Sequence, residues 1–206
     1  MTQSPLQKGL DKAAVGLAWE GMTEITLRPA RPEELPALEQ IIAASARMLS
    51  AGFYTPEETE AAIAHVFGVD SELVADGTYL VAEEAQTSDA APDHRILGCG
   101  GWSKRATLFG GDRFAGRQSG LLDPKTDAAK IRAFFVAPYA ARKGIGAALL
   151  FACEEAAKSA GFSRTELMAT LPGEPFYTAH GYCPGDAVSI DCGGIKVGFV
   201  QMFKTL

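Results

Sequence analysis

Apolar and polar residues are arranged along the chain in a pattern that predicts strands and helices around one central unit, residues 131–161. The unit begins with an apolar run, residues 131–136, which predicts a buried strand that ends before Pro138, because proline cannot donate to a sheet ladder. A helix is predicted to open at Gly144 and Gly146. One apolar stripe recurs along it at helical spacing, formed by Ile145, Leu149, Cys153, Ala156 and Ala160. The unit is therefore a strand, a glycine-rich turn and an amphipathic helix.

Upstream of the central unit, the pattern predicts three strands and two helices. The predicted strands cover residues 25–28, 78–84 and 96–102. The first helix begins near Pro32, and the second begins after Thr55, where a capping box places proline at the first helical position. Three glycines in the third strand predict a β-bulge or a close backbone approach: Gly98, Gly100 and Gly101.

Downstream of the central unit, the pattern predicts one more strand, a short helix and a closing hairpin. These elements are a strand over 165–169, a helix over 174–180 and hairpin strands 188–191 and 195–203 around Gly193 and Gly194. Residues 1–23 precede the first strand and are expected to form an N-terminal extension. We expect residues 24–206 to form one domain.

Composition narrows the classes of function. A length of 206 residues with 47% hydrophobic content suits one globular domain with a sizeable core. No apolar run reaches the ~20 residues that a membrane helix needs, and the N-terminus lacks the apolar block of a signal peptide. We therefore expect a cytoplasmic protein with no membrane partner. The net charge of −6 disfavours a nucleic-acid partner, because general binding of nucleic acids needs a basic face.

Cysteine and histidine spacing predicts no metal site. The four cysteines, Cys99, Cys153, Cys183 and Cys192, show no C-x-x-C spacing, and the three histidines are scattered. We expect free thiols, with Cys153 in the core because it lies on the apolar stripe of the central helix.

The turn that opens the central helix is suited to hold an anion. The first amides of a helix have no internal partner, and the helix dipole places partial positive charge there. Gly144 and Gly146 would let a phosphate or pyrophosphate approach the backbone, and Arg142 and Lys143 add two cations. The alternative is a tight turn that uses glycine only for its conformational freedom. A dinucleotide fingerprint is excluded because Leu149 stands where its third glycine would be.

Two motifs resemble those of the GNAT superfamily of N-acetyltransferases. The first is the superfamily's pyrophosphate-binding motif, Q/R-x-x-G-x-G/A after a strand that ends in Val-x-Pro, matched here by residues 136–147. Ala141 departs from the leading Gln or Arg, and Arg142 follows one place later. The second motif, F-Y-x-x-x-G-F/Y, is matched by residues 176–182 at the expected separation. The resemblance covers residues 25–203.

The resemblance implies a GNAT fold in the α/β (α+β) class. We expect a central mixed, mostly antiparallel, twisted sheet of about seven strands, flanked by about four helices. It implies acetyl-CoA as co-substrate, bound where the fourth and fifth strands splay apart. The implied cofactor-binding residues are Phe134, Phe135, Val136, Arg142, Lys143, Gly144, Ile145, Gly146 and Ala147.

The resemblance also implies transfer of an acetyl group to an amine acceptor by direct attack in a ternary complex. The acceptor class is a small-molecule or peptide amine, and a homodimer is compatible with the family. Two alternatives stay open: a non-catalytic acyl-CoA-binding or regulatory module, and an acyltransferase that uses a longer acyl-CoA.

Tyr177 stands at the position of the family's usual general acid. A phenol with a pKa of about 10 is well matched to protonate the departing thiolate. The alternative is a structural tyrosine with a satisfied hydroxyl. Many relatives carry a glutamate base near the start of the fourth strand, where this chain has Lys130. Asp127, Glu174, a water chain or a residue of the first two helices are open candidates for the base, and none is assigned.

Two further features bear on the acceptor side of such a site. Residues 106–130 form an unusually long connection, which is interpreted either as a lid over the acceptor or as an insertion without fixed structure. Trp102 is interpreted either as a residue lining the acceptor pocket or as a half-buried strand residue.

Overall fold

Seven strands form one sheet within residues 25–84 and 95–206, the part of the chain that the computed structural model describes. The strands are β1 (Ile25–Pro29), β2 (Tyr79–Glu84), β3 (Arg95–Ser103), β4 (Ala129–Val136), β5 (Arg164–Thr170), β6 (Cys183–Cys192) and β7 (Ile195–Thr205). Their order is β1-β2-β3-β4-β5-β7-β6, and only β4 and β5 pair in parallel. The expected mixed, mostly antiparallel sheet is confirmed, whereas the predicted extension 1–23 lies outside the described residues.

Five α-helices flank this sheet in the described residues, one more than the sequence predicts. They are α1 (Leu35–Leu49), α2 (Pro56–His65), α3 (Ser71–Ala75), α4 (Ile145–Ser159) and α5 (Glu174–Ala179). The helix that the pattern misses is α3, which has only five residues and so shows no apolar periodicity. It forms because the Asp70 side chain accepts hydrogen bonds from the backbone amides of Glu72 and Leu73. None of these helices is long and apolar enough to cross a membrane.

The sheet separates two apolar layers. One layer packs α4 against the strands, and its members include Ile145, Leu149, Cys153, Ile131 and Leu167. The other packs α1 and α2 against the opposite face, and includes Leu38, Ile42, Val81, Phe67 and Phe199. Cys153 is fully buried, as expected, but Ala160 is exposed because α4 ends at Ser159.

The closing hairpin has the predicted turn, but its first strand begins earlier in the sequence than predicted. Gly193 and Gly194 both adopt positive φ angles in the turn between β6 and β7. Strand β6 begins at Cys183 rather than near Val188, and its register with β7 shifts between Pro184 and Ala187. This irregularity breaks the alternation from which a strand is predicted.

Strands β4 and β5 diverge soon after they meet. Their only paired residues are Ala129 with Thr165 and Lys130 with Glu166, whereas β5 pairs with β7 along its whole length. From Ile131 onward, the edge of β4 that faces β5 therefore has no strand partner among the described residues. An unpaired strand edge offers a row of backbone donors and acceptors.

A β-bulge in β4 lies beside this opening. Ala133 has a φ angle of 54°, and the register between β3 and β4 shifts across Gly100. A Cβ atom at Gly100 would lie 2.7 Å from the Phe134 ring, and one at Gly98 would lie 2.9 Å from the Phe135 carbonyl oxygen. The predicted bulge and close approach are both confirmed, because only glycine leaves room for β4 here.

Candidate active site

A cavity of about 260 Å³ passes between β4 and β5 from one face of the sheet to the other. We call the part on the α4 face the turn half, defined by Phe134, Val136, Gly146, Phe176 and Tyr177. We call the part on the α1 face the aromatic half, defined by Phe67, Phe109, Phe135, Met168 and Phe199. Successive β4 side chains point to opposite faces, so Phe134 and Val136 line one half while Phe135 lines the other.

The turn before α4 leaves the first amides of the helix without an intrahelical partner. Arg142 and Gly144 adopt φ angles of 61° and 79°, and the first intrahelical bond runs from the Ala148 amide to the Gly144 carbonyl. The amides of residues 145–147 precede that bond, and no side chain caps the helix. A left-handed non-glycine residue costs about 1 kcal/mol or more, so the turn is held in this shape by its surroundings.

The predicted cofactor-binding residues fall into two neighbouring groups. Phe134, Phe135 and Val136 line the cavity on β4. Arg142 and Lys143 are exposed at the turn and enter no ion pair with the described residues. Gly144, Ile145, Gly146 and Ala147 open α4, where a Cβ atom at Gly144 would meet nothing within 4 Å. The turn is thus open on the side where an anion would approach.

Tyr177 projects from α5 into the turn half. The Phe134, Phe176 and Tyr182 rings pack against its ring, with centroid distances of 6.5, 5.0 and 5.6 Å. No described residue hydrogen-bonds its hydroxyl, whereas the neighbouring Tyr182 hydroxyl lies 3.0 Å from Thr165 Oγ1. Burial raises the pKa of Tyr177, so the phenol stays protonated well above neutral pH. Tyr177 therefore keeps a proton to donate, and its hydroxyl has no partner among the described residues.

The aromatic half is built from rings that come from segments far apart in the sequence. Phe67 makes edge contacts with Phe135 and Phe199, at centroid distances of 5.6 and 6.1 Å. Phe109 stacks on Phe199 at 6.3 Å and packs against Phe114 at 4.6 Å. Such contacts bury apolar surface and hold the rings in defined positions. The result is an apolar wall of aromatic rings.

The long connection, residues 104–128 between β3 and β4, covers the aromatic half. The Gly111 amide donates to the Val66 carbonyl over 2.9 Å, and Arg113 forms an ion pair with Glu39 at 2.6 Å. Leu108, Phe109, Gly110 and Gly111 line the cavity. Of the two interpretations of this segment, the structure supports the cover over the site.

A buried ion pair lies under this cover, and the residue pattern alone did not predict it. Arg132 on β4 is 3% exposed, pairs with the fully buried Asp70 and donates to the Gly110 carbonyl over 2.7 Å. Burial lowers the pKa of Arg132, and Asp70 also pairs with Arg117 at 2.9 Å. The available signal was an arginine inside an otherwise apolar strand, which needs a buried partner.

The two residues named as open candidates for a general base are absent from the cavity lining. Lys130 pairs with Glu166 where β4 and β5 still meet, and burial lowers the pKa of Lys130. Neither Asp127 nor Glu174 lines the cavity. The described residues also contain no cluster of three or more His, Cys, Asp or Glu side chains that could hold a metal ion.

Trp102 does not line the cavity. Its side chain is 3% exposed and packs edge-on against Phe162 at 6.2 Å, within the layer beneath α4. The interpretation as a pocket residue is wrong, and the residue is more deeply buried than the half-buried strand position that was expected.

Comparisons with known proteins identify the family and the fold. A GCN5-related N-acetyltransferase from Rhodopseudomonas palustris is 22% identical, with a TM-score of 0.62 over 92% of this chain and 100% of that chain. PaiA N-acetyltransferase from Thermoplasma acidophilum, in complex with coenzyme A, is 18% identical, with a TM-score of 0.56 over 89% and 99%. Naa20 from Chaetomium thermophilum, in complex with a bisubstrate analogue, is 21% identical, with a TM-score of 0.52 over 88% and 86%.

At these identities, the likeness to solved structures shows the fold alone. No curated protein matches the chain. The family model of the acetyltransferase (GNAT) family matches residues 46–182, about two thirds of the sequence. The chain therefore belongs to the acetyltransferase (GNAT) family.

Proposed function

We propose that the protein is an acetyl-CoA-dependent N-acetyltransferase. One observation carries this proposal: the cavity in the opening between β4 and β5 is lined both by Gly146, in the uncapped first turn of α4, and by Tyr177, whose hydroxyl no described residue hydrogen-bonds. The complex of PaiA with coenzyme A supports the choice of co-substrate.

The residues of the turn half fit such a ligand. The amides of residues 145–147 would hold the pyrophosphate, with Arg142 and Lys143 as flanking cations. The unpaired edge of β4 would bond the extended arm of the ligand much as it would bond an added strand. When bound, acetyl-CoA supplies an acetyl thioester that reacts with amines.

Val136 is positioned to stabilise the negative charge that develops on the acyl oxygen. The Phe135 backbone hydrogen-bonds the Cys99 thiol of β3, and the Ala137 amide donates to the Leu97 carbonyl over 2.8 Å. Because amides alternate between the two edges of a strand, the Val136 amide faces the opening. One such donor typically contributes about 3 kcal/mol to catalysis.

Tyr177 would donate its proton to the departing sulfur. Burial raises the pKa of this phenol. The same apolar surroundings would raise the pKa of the coenzyme thiol, so the two groups stay matched for proton transfer. Among the described residues, no cysteine lines the cavity. This favours direct attack by the amine in a ternary complex over an acyl-enzyme.

The test is steady-state kinetics with acetyl-CoA and a panel of amines, with coenzyme A release and the mass of the product as readouts. We expect an N-acetylated product and intersecting double-reciprocal lines, as a ternary complex requires. Parallel lines with a covalent acetyl-enzyme would contradict direct attack. Tight binding without turnover of any amine would favour a non-catalytic acyl-CoA-binding module, and faster turnover of butyryl-CoA would favour a longer acyl donor.

A further inference from the structure

The described residues of the aromatic half offer no counter-ion to a cationic acceptor. Arg132 is the one charged residue among the described residues that line the cavity. It pairs with Asp70, which also pairs with Arg117, and its Nε and Nη1 atoms have no hydrogen-bond partner among the described residues. The nearby carboxylates are similarly occupied: Glu39 pairs with Arg113 at 2.6 Å, and Asp112 pairs with Arg117 at 3.2 Å. The wall of the aromatic half is therefore mostly apolar, the one charged group among its described residues is a cation, and the nearby carboxylates are paired with arginines.

This distribution of charge disfavours an ammonium group. Desolvation in an apolar cavity favours the neutral form of an amine, and no described carboxylate in the cavity offsets that effect. An alkylamine with a pKa of about 10.4 is neutral in only about one molecule in 2,500 at pH 7. An arylamine, whose nitrogen lone pair is delocalised into the ring, is neutral at that pH.

The volume of the cavity limits the size of the acceptor. The cavity of about 260 Å³ must also admit the acyl end of the co-substrate. Typical small-molecule sites measure about 300–1,000 Å³, so little space remains beyond that of one ring. Phe67, Phe109 and Phe199 form the wall that such a ring would contact, and offset or edge contacts between rings are favourable.

Resting on the proposed function, we infer that the acceptor is a weakly basic amine carried on a single apolar ring, of the arylamine class. In the reaction, the neutral nitrogen bonds to the acyl carbon and the bond from that carbon to sulfur breaks. The nitrogen loses one proton and the sulfur gains one. Tyr177 gives its proton to sulfur and recovers one from nitrogen, so the balance needs no separate base. This agrees with Lys130 being paired to Glu166 outside the cavity.

Two isomeric amines test the inference: 4-ethylaniline, which is weakly basic, and 2-phenylethylamine, which is a strong base of the same composition. We expect kcat/KM for 4-ethylaniline to exceed that for 2-phenylethylamine at least tenfold at pH 7. The value should be flat from pH 6 to 9 for 4-ethylaniline and should rise about tenfold per pH unit for 2-phenylethylamine, following its neutral fraction. A preference for 2-phenylethylamine, putrescine or phenylalanine at pH 7 would overturn the inference while leaving the proposed function intact.

A variant of the aromatic half gives a second, independent readout. Met168→Glu would place a carboxylate in the aromatic half, and Met168→Gln is its uncharged match. Relative to the glutamine variant, the glutamate variant should shift the ratio of kcat/KM toward 2-phenylethylamine at least tenfold. Calorimetric titration with acetyl-CoA verifies that both variants keep the co-substrate site. Equal ratios in two variants that bind acetyl-CoA would overturn the inference, and a wild type that does not bind acetyl-CoA would remove the proposed function and the inference with it.

Discussion

The two halves of the cavity are built in different ways. The turn half depends mainly on two short segments, residues 134–147 and 173–177, and on main-chain shape: the free edge of β4, the left-handed turn and the amides of α4. The aromatic half depends on side chains from segments far apart in sequence, such as Arg113 with Glu39 and Phe109 with Phe199. The turn half is thus formed by local backbone conformation, and the aromatic half is formed by tertiary packing.

This difference separates the part of the cavity expected to bind the co-substrate from the part expected to select the acceptor. A backbone cradle serves any ligand with the same phosphate and thioester groups, because amides carry no side-chain identity. Packed side chains can change without disturbing that cradle, so the acceptor is expected to be set by the aromatic half. Substitutions in the turn half should therefore change binding or turnover of the co-substrate, and those in the aromatic half should change stability or acceptor choice.

The largest effect is expected at the general acid. Tyr177→Phe should lower kcat about 10³-fold, because the thiolate loses its proton donor, while KM for acetyl-CoA changes little. Since burial raises the pKa of Tyr177, and the protonated phenol is the active form, the wild-type rate should show no fall due to this group below pH 10.

Tyr182→Phe is the matched control, because its hydroxyl is already bonded to Thr165. It should reduce stability but leave kcat near the wild-type value. Equal losses of kcat in the two variants would show that Tyr177 has a structural role.

The buried pair beneath the aromatic half should dominate stability. Arg132→Met leaves Asp70 buried with less compensating charge, which should lower the free energy of unfolding by about 3 kcal/mol. Denaturant unfolding measures this change. Adding Asp70→Asn to the variant removes the stranded charge and keeps a capping side chain for α3, so part of the loss should return. An Arg132→Met variant as stable as the wild type would contradict a stabilising role for the pair.

The phosphate cradle should be sensitive to charge more than to size. Gly146→Glu should weaken acetyl-CoA binding about 100-fold, because a carboxylate there repels the pyrophosphate. Gly146→Ala adds a Cβ atom 3.3 Å from the edge of the Phe176 ring, which can shift slightly, so its effect should be much smaller. Calorimetric titration compares them. Equal losses would indicate that space, not charge, governs this position.

A smaller effect on stability is expected at Tyr54, which connects the segment between α1 and α2 to β7. The Tyr54 hydroxyl donates to the Gly198 carbonyl over 2.6 Å and accepts from the Leu171 amide over 2.9 Å, and burial raises the pKa of Tyr54 to about 12. Tyr54→Phe should lower the free energy of unfolding by about 2 kcal/mol, because two backbone groups lose their partner.

The exposed Tyr139, whose hydroxyl bonds the Ile96 carbonyl over 2.7 Å, provides the control for this measurement. Tyr139→Phe should change stability by no more than about 0.5 kcal/mol. A similar loss in both variants would remove the distinction between a buried tie and a surface contact.

The local origin of the turn half explains why the sequence predicts it. Gly144, Gly146 and the apolar run over residues 131–136 act over a few positions, so the strand, turn and helix follow from the residues themselves. The glycines of β3 likewise predict a bulge or a close backbone approach, and the structure shows Phe134 as the neighbour of Gly100.

The aromatic half could not be predicted in the same way. The pairing of Arg132 with Asp70 spans a long stretch of chain and depends on how the long connection folds back over α2 and α3. Helix α3 escaped prediction because a cap, not a periodic pattern, specifies it. The general base stays unassigned because neither its residue type nor its spacing is fixed by a local motif.

Hydrogen–deuterium exchange with and without acetyl-CoA tests the central claim most directly, because it reports where the ligand contacts the main chain without altering any residue. We predict that peptides over residues 134–147 gain the strongest protection, greatest at residues 142–147, and that peptides over 106–117 change less. Binding that leaves residues 142–147 unprotected, with protection confined to other segments, would contradict the assignment of the turn half as the co-substrate site.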